Sequence, residues 1–274
     1  MNFIKSKTFI TIIISVISTL LLSFAFLYHK DSHLEDDYLS ELCNVLIIPI
    51  RGDLKTYFGP DSYDENGHLM VDGTSSEDIL AFLEDLENYP NIKAILTIAD
   101  SFGGEIVAGK EINDYFKQSH IPVVALIRSA ADSAAYYAIS GSKMIFASEL
   151  SSVGSIGVTQ SILSNAKKNE KEGLTFIEVN SGKFKDTFNP DKPVTQEEIA
   201  YVKGQINTAY NKFVRDISYD RNIPLDKVFA LADGSSVLGE KAKEIGLIDE
   251  IGNYYDAVVH IEQLIGENVY VCKY

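Results

Sequence analysis

The feature that most constrains this chain is the alternation of short apolar runs with amphipathic stretches. Residues 45–50 read VLIIPI, 94–99 read AILTIA and 121–127 read IPVVALI. Each run is too brief for a helix and too uniformly apolar for a strand with one wet face. Thr74-Ser75-Ser76-Glu77 has the form of a capping box, and Ile79, Phe82, Leu83 and Leu86 follow it at helical spacing. The Gly- and Asp-rich residues 52–73 read as a loop, and a Gly-Gly turn at 103–104 is expected to open a helix over about 105–118. Buried strands alternating with helices are βαβ units, so the predicted class is α/β with a largely parallel sheet.

The second half continues the pattern with a strand at 143–147, a helix near 160–168 and a strand at 174–180, LTFIEVN. Thr195-Gln196-Glu197-Glu198 is a second capping box, opening a long helix to Tyr219 whose apolar stripe is Ile199, Val202, Ile206, Phe213 and Ile217. No repeat or Pro/Gly linker divides residues 45–274, which are expected to form one domain.

Residues 8–28 carry no charge, long enough to cross roughly 30 Å of hydrocarbon as a helix. Lys5 and Lys7 precede them and an acidic stretch follows Lys30, so the positive-inside bias puts the N-terminus in the cytoplasm and the rest outside. A cleavable signal peptide is the competing reading, disfavoured by the length of the apolar run and by the lack of a small-residue cleavage motif after Phe26. Residues 1–30 are thus expected to be a short tail with a transmembrane anchor, and 31–44 an acidic juxtamembrane tether. Three lysines and no acid in residues 1–30 leave 21 basic against 39 acidic residues elsewhere, a charge of −18. This argues against a nucleic-acid partner, since a phosphate backbone calls for a basic face. Cys43 and Cys272, the two cysteines, exclude a disulfide-dense scaffold and a four-cysteine zinc site. They could bridge in an oxidising compartment or remain two free thiols.

Three small-residue loops follow predicted strands, where parallel α/β sheets place their sites. In Asp100-Ser101-Phe102-Gly103-Gly104, paired glycines allow close backbone approach and leave amides free to hold negative charge, although a plain turn needs the same glycines. In the segment from Ser129 to Tyr137, Ser133 would sit at or near a helix N-terminus, placed either as a nucleophile beside backbone donors or as an ordinary N-cap. A nucleophilic serine needs a base. The histidines are poorly placed: His29 and His33 fall in the tether, His68 in a polar loop, and His260 in a late helix. His120 reads as a charge partner for a helix C-terminus. Lys183 and Lys185 lie in Ser181-Gly182-Lys183-Phe184-Lys185-Asp186. A lysine at its reference pKa of about 10.4 is roughly 0.04% neutral at pH 7, so one acting as a base must be held in a dry, apolar place.

Together DSFGGEI, AADSAAYYAIS, SSVGSIGV, SGKFKD and ADGSSVLGEKAKEIGLIDEIG resemble, in order, the motifs of the signal peptide peptidase A family. These are membrane-anchored serine proteases with a Clp protease/crotonase-like fold of repeated ββα/βαβ units. The likeness spans about residues 45–258. It implies that Ser133 is the nucleophile, Lys185 the general base, Ser155 the residue that positions the lysine, and Gly103 with Ala134, flanked by Gly104, the oxyanion hole. It further implies hydrophobic peptide substrates such as remnant signal peptides, no metal and no cofactor. Short members look like ring-shaped homo-oligomers in which serine and lysine come from neighbouring subunits, and an interface would supply the dry surroundings a neutral lysine needs. The chain departs from the family at Phe102, usually proline, and at Asp132-Ser133-Ala134-Ala135, usually Ala-Ser-Gly-Gly. A carboxylate at 132 would repel an oxyanion unless it points away or is paired. These departures keep open a catalytically inactive scaffold of the same fold. An acyl-CoA enzyme of the crotonase branch would instead use carboxylates as acid and base.

Overall fold

The computed structural model describes residues 43–62, 72–84, 86 and 89–273. The expected membrane anchor and nearly all of the tether fall outside them. Among the described residues no helix is long and apolar enough to cross a membrane.

Strand β1 (Val45–Lys55) belongs to a sheet with β2 (Gly73–Ser75), β3 (Ala94–Gly104), β4 (Val123–Asp132), β5 (Met144–Ala147) and β8 (Glu250–Ile251), in the order β2-β1-β3-β4-β5-β8, with β3 and β4 at its centre. All of these pairs are parallel. Short β6 (Ser152–Gly154) runs parallel to the end of β4 and pairs antiparallel with β7 (Ser236–Leu238), while β9 (Val271–Lys273) pairs with the start of β1. The α/β, largely parallel expectation holds.

Helices α1 (Ser76–Glu84), α2 (Ile106–Gln118) and α3 (Ala134–Ser140) cover one face of the sheet, where Ile48, Ile50, Leu54, Ile79, Leu83, Ile112 and Tyr136 form the larger core. Helix α8 (Tyr254–Ile265) covers the other, packing Ala257 and Ile261 on Val45, Leu96, Val124 and Phe146. Complete burial of each large apolar side chain contributes roughly 1.5–3 kcal/mol. Helix α5 (Gln196–Asp220) docks on α3: the Tyr137 ring stacks on Phe213 at 4.5 Å, and the Tyr137 hydroxyl donates to Asp216. The Thr195–Glu198 capping box opens α5 as predicted. Short helices α4 (Ala166–Lys171), α6 (Leu225–Leu231) and α7 (Gly239–Glu244) and a 3-10 turn at Pro60–Ser62 complete the described elements.

Local expectations differ in four places. β1 and β3 run on through Arg51-Gly52-Asp53 and through the glycine pair at 103–104, because each supplies the other with a ladder partner: Asp53 faces Gly103 and Leu54 faces Gly104. The first helix is capped one residue late. Ser75 Oγ accepts the amide of Asp78 at 3.2 Å, while the Thr74 hydroxyl is taken by Arg51 of β1. The helix expected near 160–168 is the shorter α4. Residues 174–180 form no strand, and Ile177 and Val179 are exposed: an apolar run becomes a strand only beside another strand that completes its hydrogen bonds.

Cys43 and Cys272 are disulfide-bonded with Cα atoms 5.6 Å apart, which decides the alternative left open by the sequence. The pairing of β9 with β1 brings them together.

Candidate active site

Ser133 occupies the junction between β4 and α3. Its backbone has a positive φ, with φ 53° and ψ −125°, and its side chain makes no cap hydrogen bond. A non-glycine residue at positive φ costs of order 1–3 kcal/mol and is held by its surroundings. Here the Ser133 amide donates to Gly154 O at 2.8 Å, and its carbonyl accepts from Tyr137 N at 3.0 Å. The ordinary N-cap role is therefore not the one the hydroxyl plays.

Gly103, at φ 111°, passes so close that an added Cβ would lie 2.8 Å from the Ser133 Cβ and 3.1 Å from Ala134 N. Only glycine fits that contact without displacement. The Gly103 amide donates to Ser101 Oγ at 3.0 Å, and Ser101 Oγ donates in turn to Gly52 O at 2.6 Å. In this conformation the amide expected in an oxyanion hole is thus engaged by a side chain. Ala134 N stands in the first turn of α3, where amides lack intrahelical acceptors.

Ser155 follows β6 with φ 46°. Its amide donates to Ser235 O at 3.0 Å and its hydroxyl to Gly234 O at 2.9 Å. Ser133, Ala134, Gly104 and Ser155 share one cavity of about 970 Å³, whose apolar wall includes Ile106, Tyr210 and Phe213. Tyr210 and Phe213 come from α5; Phe213 belongs to the apolar stripe of that helix in the sequence and Tyr210 does not. Their spacing carried no sign of the cavity.

Lys185 is not among the residues lining the cavity. It stands exposed in the run of turns after Gly182, its amide donating to Gly182 O at 2.9 Å. Neighbouring Lys183 pairs with Glu197, and Phe184 stacks on Tyr201 at 4.4 Å. The structure therefore brings together Ser133, Ser155, Gly104 and Ala134, with Gly103 against Ser133, and leaves Lys185 apart.

Asp132 is buried, 6% exposed. Burial pushes its carboxyl above the usual carboxylate range, and a hydrogen bond from Ser152 only partly opposes this. Oδ2 accepts the Ser152 hydroxyl at 2.7 Å, while Oδ1 is buried without a partner. A carboxyl biased toward its neutral form repels a neighbouring oxyanion less than the sequence suggested.

Residues 115–268 match the family described as peptidase family S49. The chain is 33% identical over 186 residues to a putative protease of Methanocaldococcus jannaschii, covering 66% of this chain and 59% of that protein. It is 34% identical over 185 residues to a putative signal peptide peptidase SppA of Enterococcus faecium, covering 66% and 54%. The chain thus spans between half and two thirds of the length of these relatives. Among solved structures, a membrane-bound stomatin-specific protease superposes with a TM-score of 0.52 at 15% identity, over 85% of this chain and 97% of that one. ClpP1 of Listeria monocytogenes gives 0.50 at 16% identity, over 82% and 98%. These two likenesses establish a Clp protease-like fold.

Proposed function

The chain belongs to peptidase family S49, and from that premise we propose that it is a membrane-tethered serine endopeptidase working through a Ser133/Lys185 dyad on hydrophobic peptides. The carrying observation is the geometry of Ser133: at positive φ in a strand-to-helix junction, its hydroxyl free of a cap bond, in the cavity that also holds Ser155.

In this reading the neutral amine of Lys185 takes the Ser133 hydroxyl proton as Oγ bonds to a substrate carbonyl carbon. The Ala134 amide, with that of Gly103 once exchanged from Ser101, holds the developing oxyanion. The tetrahedral adduct collapses, its C–N bond breaks, and the lysine proton passes to the leaving amine. Water then gives a proton to Lys185 and attacks the acyl carbon, and Ser133 recovers its hydrogen as the acid product leaves. Ser155 positions the lysine.

Lys185 lies outside the cavity on an exposed segment, with Leu163, Ile177 and Val179 exposed on the same stretch of chain. That supports a ring-shaped homo-oligomer in which a neighbouring copy supplies the amine and the interface dries it. The Cys43–Cys272 disulfide supports an extracytoplasmic domain, with the N-terminus cytoplasmic and the anchor in lipid. Remnant signal peptides are the proposed substrates.

The test is labelling by a serine-directed phosphonate, together with turnover of a hydrophobic peptide. Wild type should label and cleave. Ser133→Ala should do neither, Lys185→Ala should fail to cleave, and the two variants co-assembled should regain activity. A folded wild-type assembly that neither labels nor cleaves would favour the inactive scaffold.

A further inference from the structure

A second cavity, of about 720 Å³, opens on the α8 side of the sheet, away from Ser133. Helix α8 covers the lower part of that face and begins only at Tyr254, so the C-terminal ends of β1, β3 and β4 stay open beyond it. Ile98 and Leu126 form an apolar floor, and Leu150, 72% exposed, stands at the edge.

Two of the four arginines in a chain of net charge −15 reach this cavity, Arg51 from β1 and Arg128 from β4, and no acidic residue lines it. Their strands flank β3, roughly 10 Å apart, so two long side chains can close on one anion. The charge is incompletely matched. The Asp100 carboxylate approaches Arg128 only to 3.9 Å and is also engaged by the Ser129 amide at 3.2 Å. Arg51 has no carboxylate partner among the described residues. Guanidinium groups recognise carboxylates through paired N–H donors. Ser129 and Asn253 add polar groups along the wall that a hydrocarbon chain could not use but a peptide backbone could.

We infer that this cavity binds the free C-terminal carboxylate of a short apolar peptide, with Arg51 and Arg128 holding the carboxylate and Ile98, Leu126 and Leu150 holding its last side chains. The inference rests on this cavity alone and stands whether or not Ser133 is active.

The test uses the full-length Ser133→Ala protein, so that no probe is cleaved, and calorimetric titration with N-acetylated Ala-Leu-Ala-Leu-Ala as the free acid and as the C-terminal amide. The free acid should bind at least tenfold more tightly at low salt, and the preference should shrink as salt rises. Arg51→Gln with Arg128→Gln should abolish the preference while leaving phosphonate labelling of Ser133 unchanged in the otherwise wild-type protein. Equal binding of acid and amide, no binding of either, a preference that survives both substitutions, or decanoate binding as tightly as the peptide acid would each overturn the inference.

Discussion

The Cβ of Ser133 lies 2.8 Å from the point at which a side chain on Gly103 would begin. β3 thus meets the β4–α3 junction backbone to side chain, with no space left between them.

Gly103→Ala is therefore expected to displace Ser133 rather than to unfold the sheet. Added strain at φ 111° and the Ser133 contact should slow phosphonate labelling by at least a hundredfold, while far-ultraviolet circular dichroism stays near wild type. Labelling at the wild-type rate would show that the contact does not set the hydroxyl.

Asp132→Ala should stabilise the protein, and more so at pH 7 than at pH 4. Burial raises the folded-state pKa of this carboxyl, so its contribution is fully present below the unfolded carboxylate range and is lost as pH rises through the folded value. Removing the buried, partnerless Oδ1 should gain about 1–3 kcal/mol at neutral pH, offset in part by loss of the Ser152 hydrogen bond to Oδ2. Denaturant unfolding at the two pH values measures the difference, and an equal effect at both would contradict the linkage.

Phe213→Ala removes a ring that is 1% exposed and stacked on Tyr137. A loss of about 3–5 kcal/mol is expected, together with a weaker grip on apolar probes, because Phe213 also walls the Ser133 cavity. Chemical denaturation and peptide binding to Ser133→Ala,Phe213→Ala, compared with Ser133→Ala alone, check the two effects separately.

Cys43→Ser should cost about 2–4 kcal/mol, since the bond closes a loop with a sequence separation of 229. Thermal unfolding with and without dithiothreitol should shift wild type and leave the variant unmoved.

The strands VLIIPI, AILTIA and IPVVALI were legible because burial on both faces writes itself as an uninterrupted apolar run. The Thr195 box was legible because capping is local. The extension of β1 and β3 through their glycines was not, since ladder pairing across the sheet outweighed the turn character of Gly52, Gly103 and Gly104. The strand expected at 174–180 failed for the converse reason: propensity without a neighbour gives no ladder. Arg51 and Arg128 are separated by 77 positions in sequence, and it is the sheet order that sets their strands on either side of β3.

By itself, the sequence determined the α/β class, the family and the candidacy of Ser133, because periodicity, caps and short motifs are encoded by residues close together in the chain. Only the tertiary structure decided that Ser133 and Ser155 share a cavity, that Lys185 stands outside it, that Asp132 is buried and that Cys43 reaches Cys272. Each of these depends on which distant segments the sheet brings side by side, and burial, strain and proximity are properties of that arrangement rather than of any local stretch.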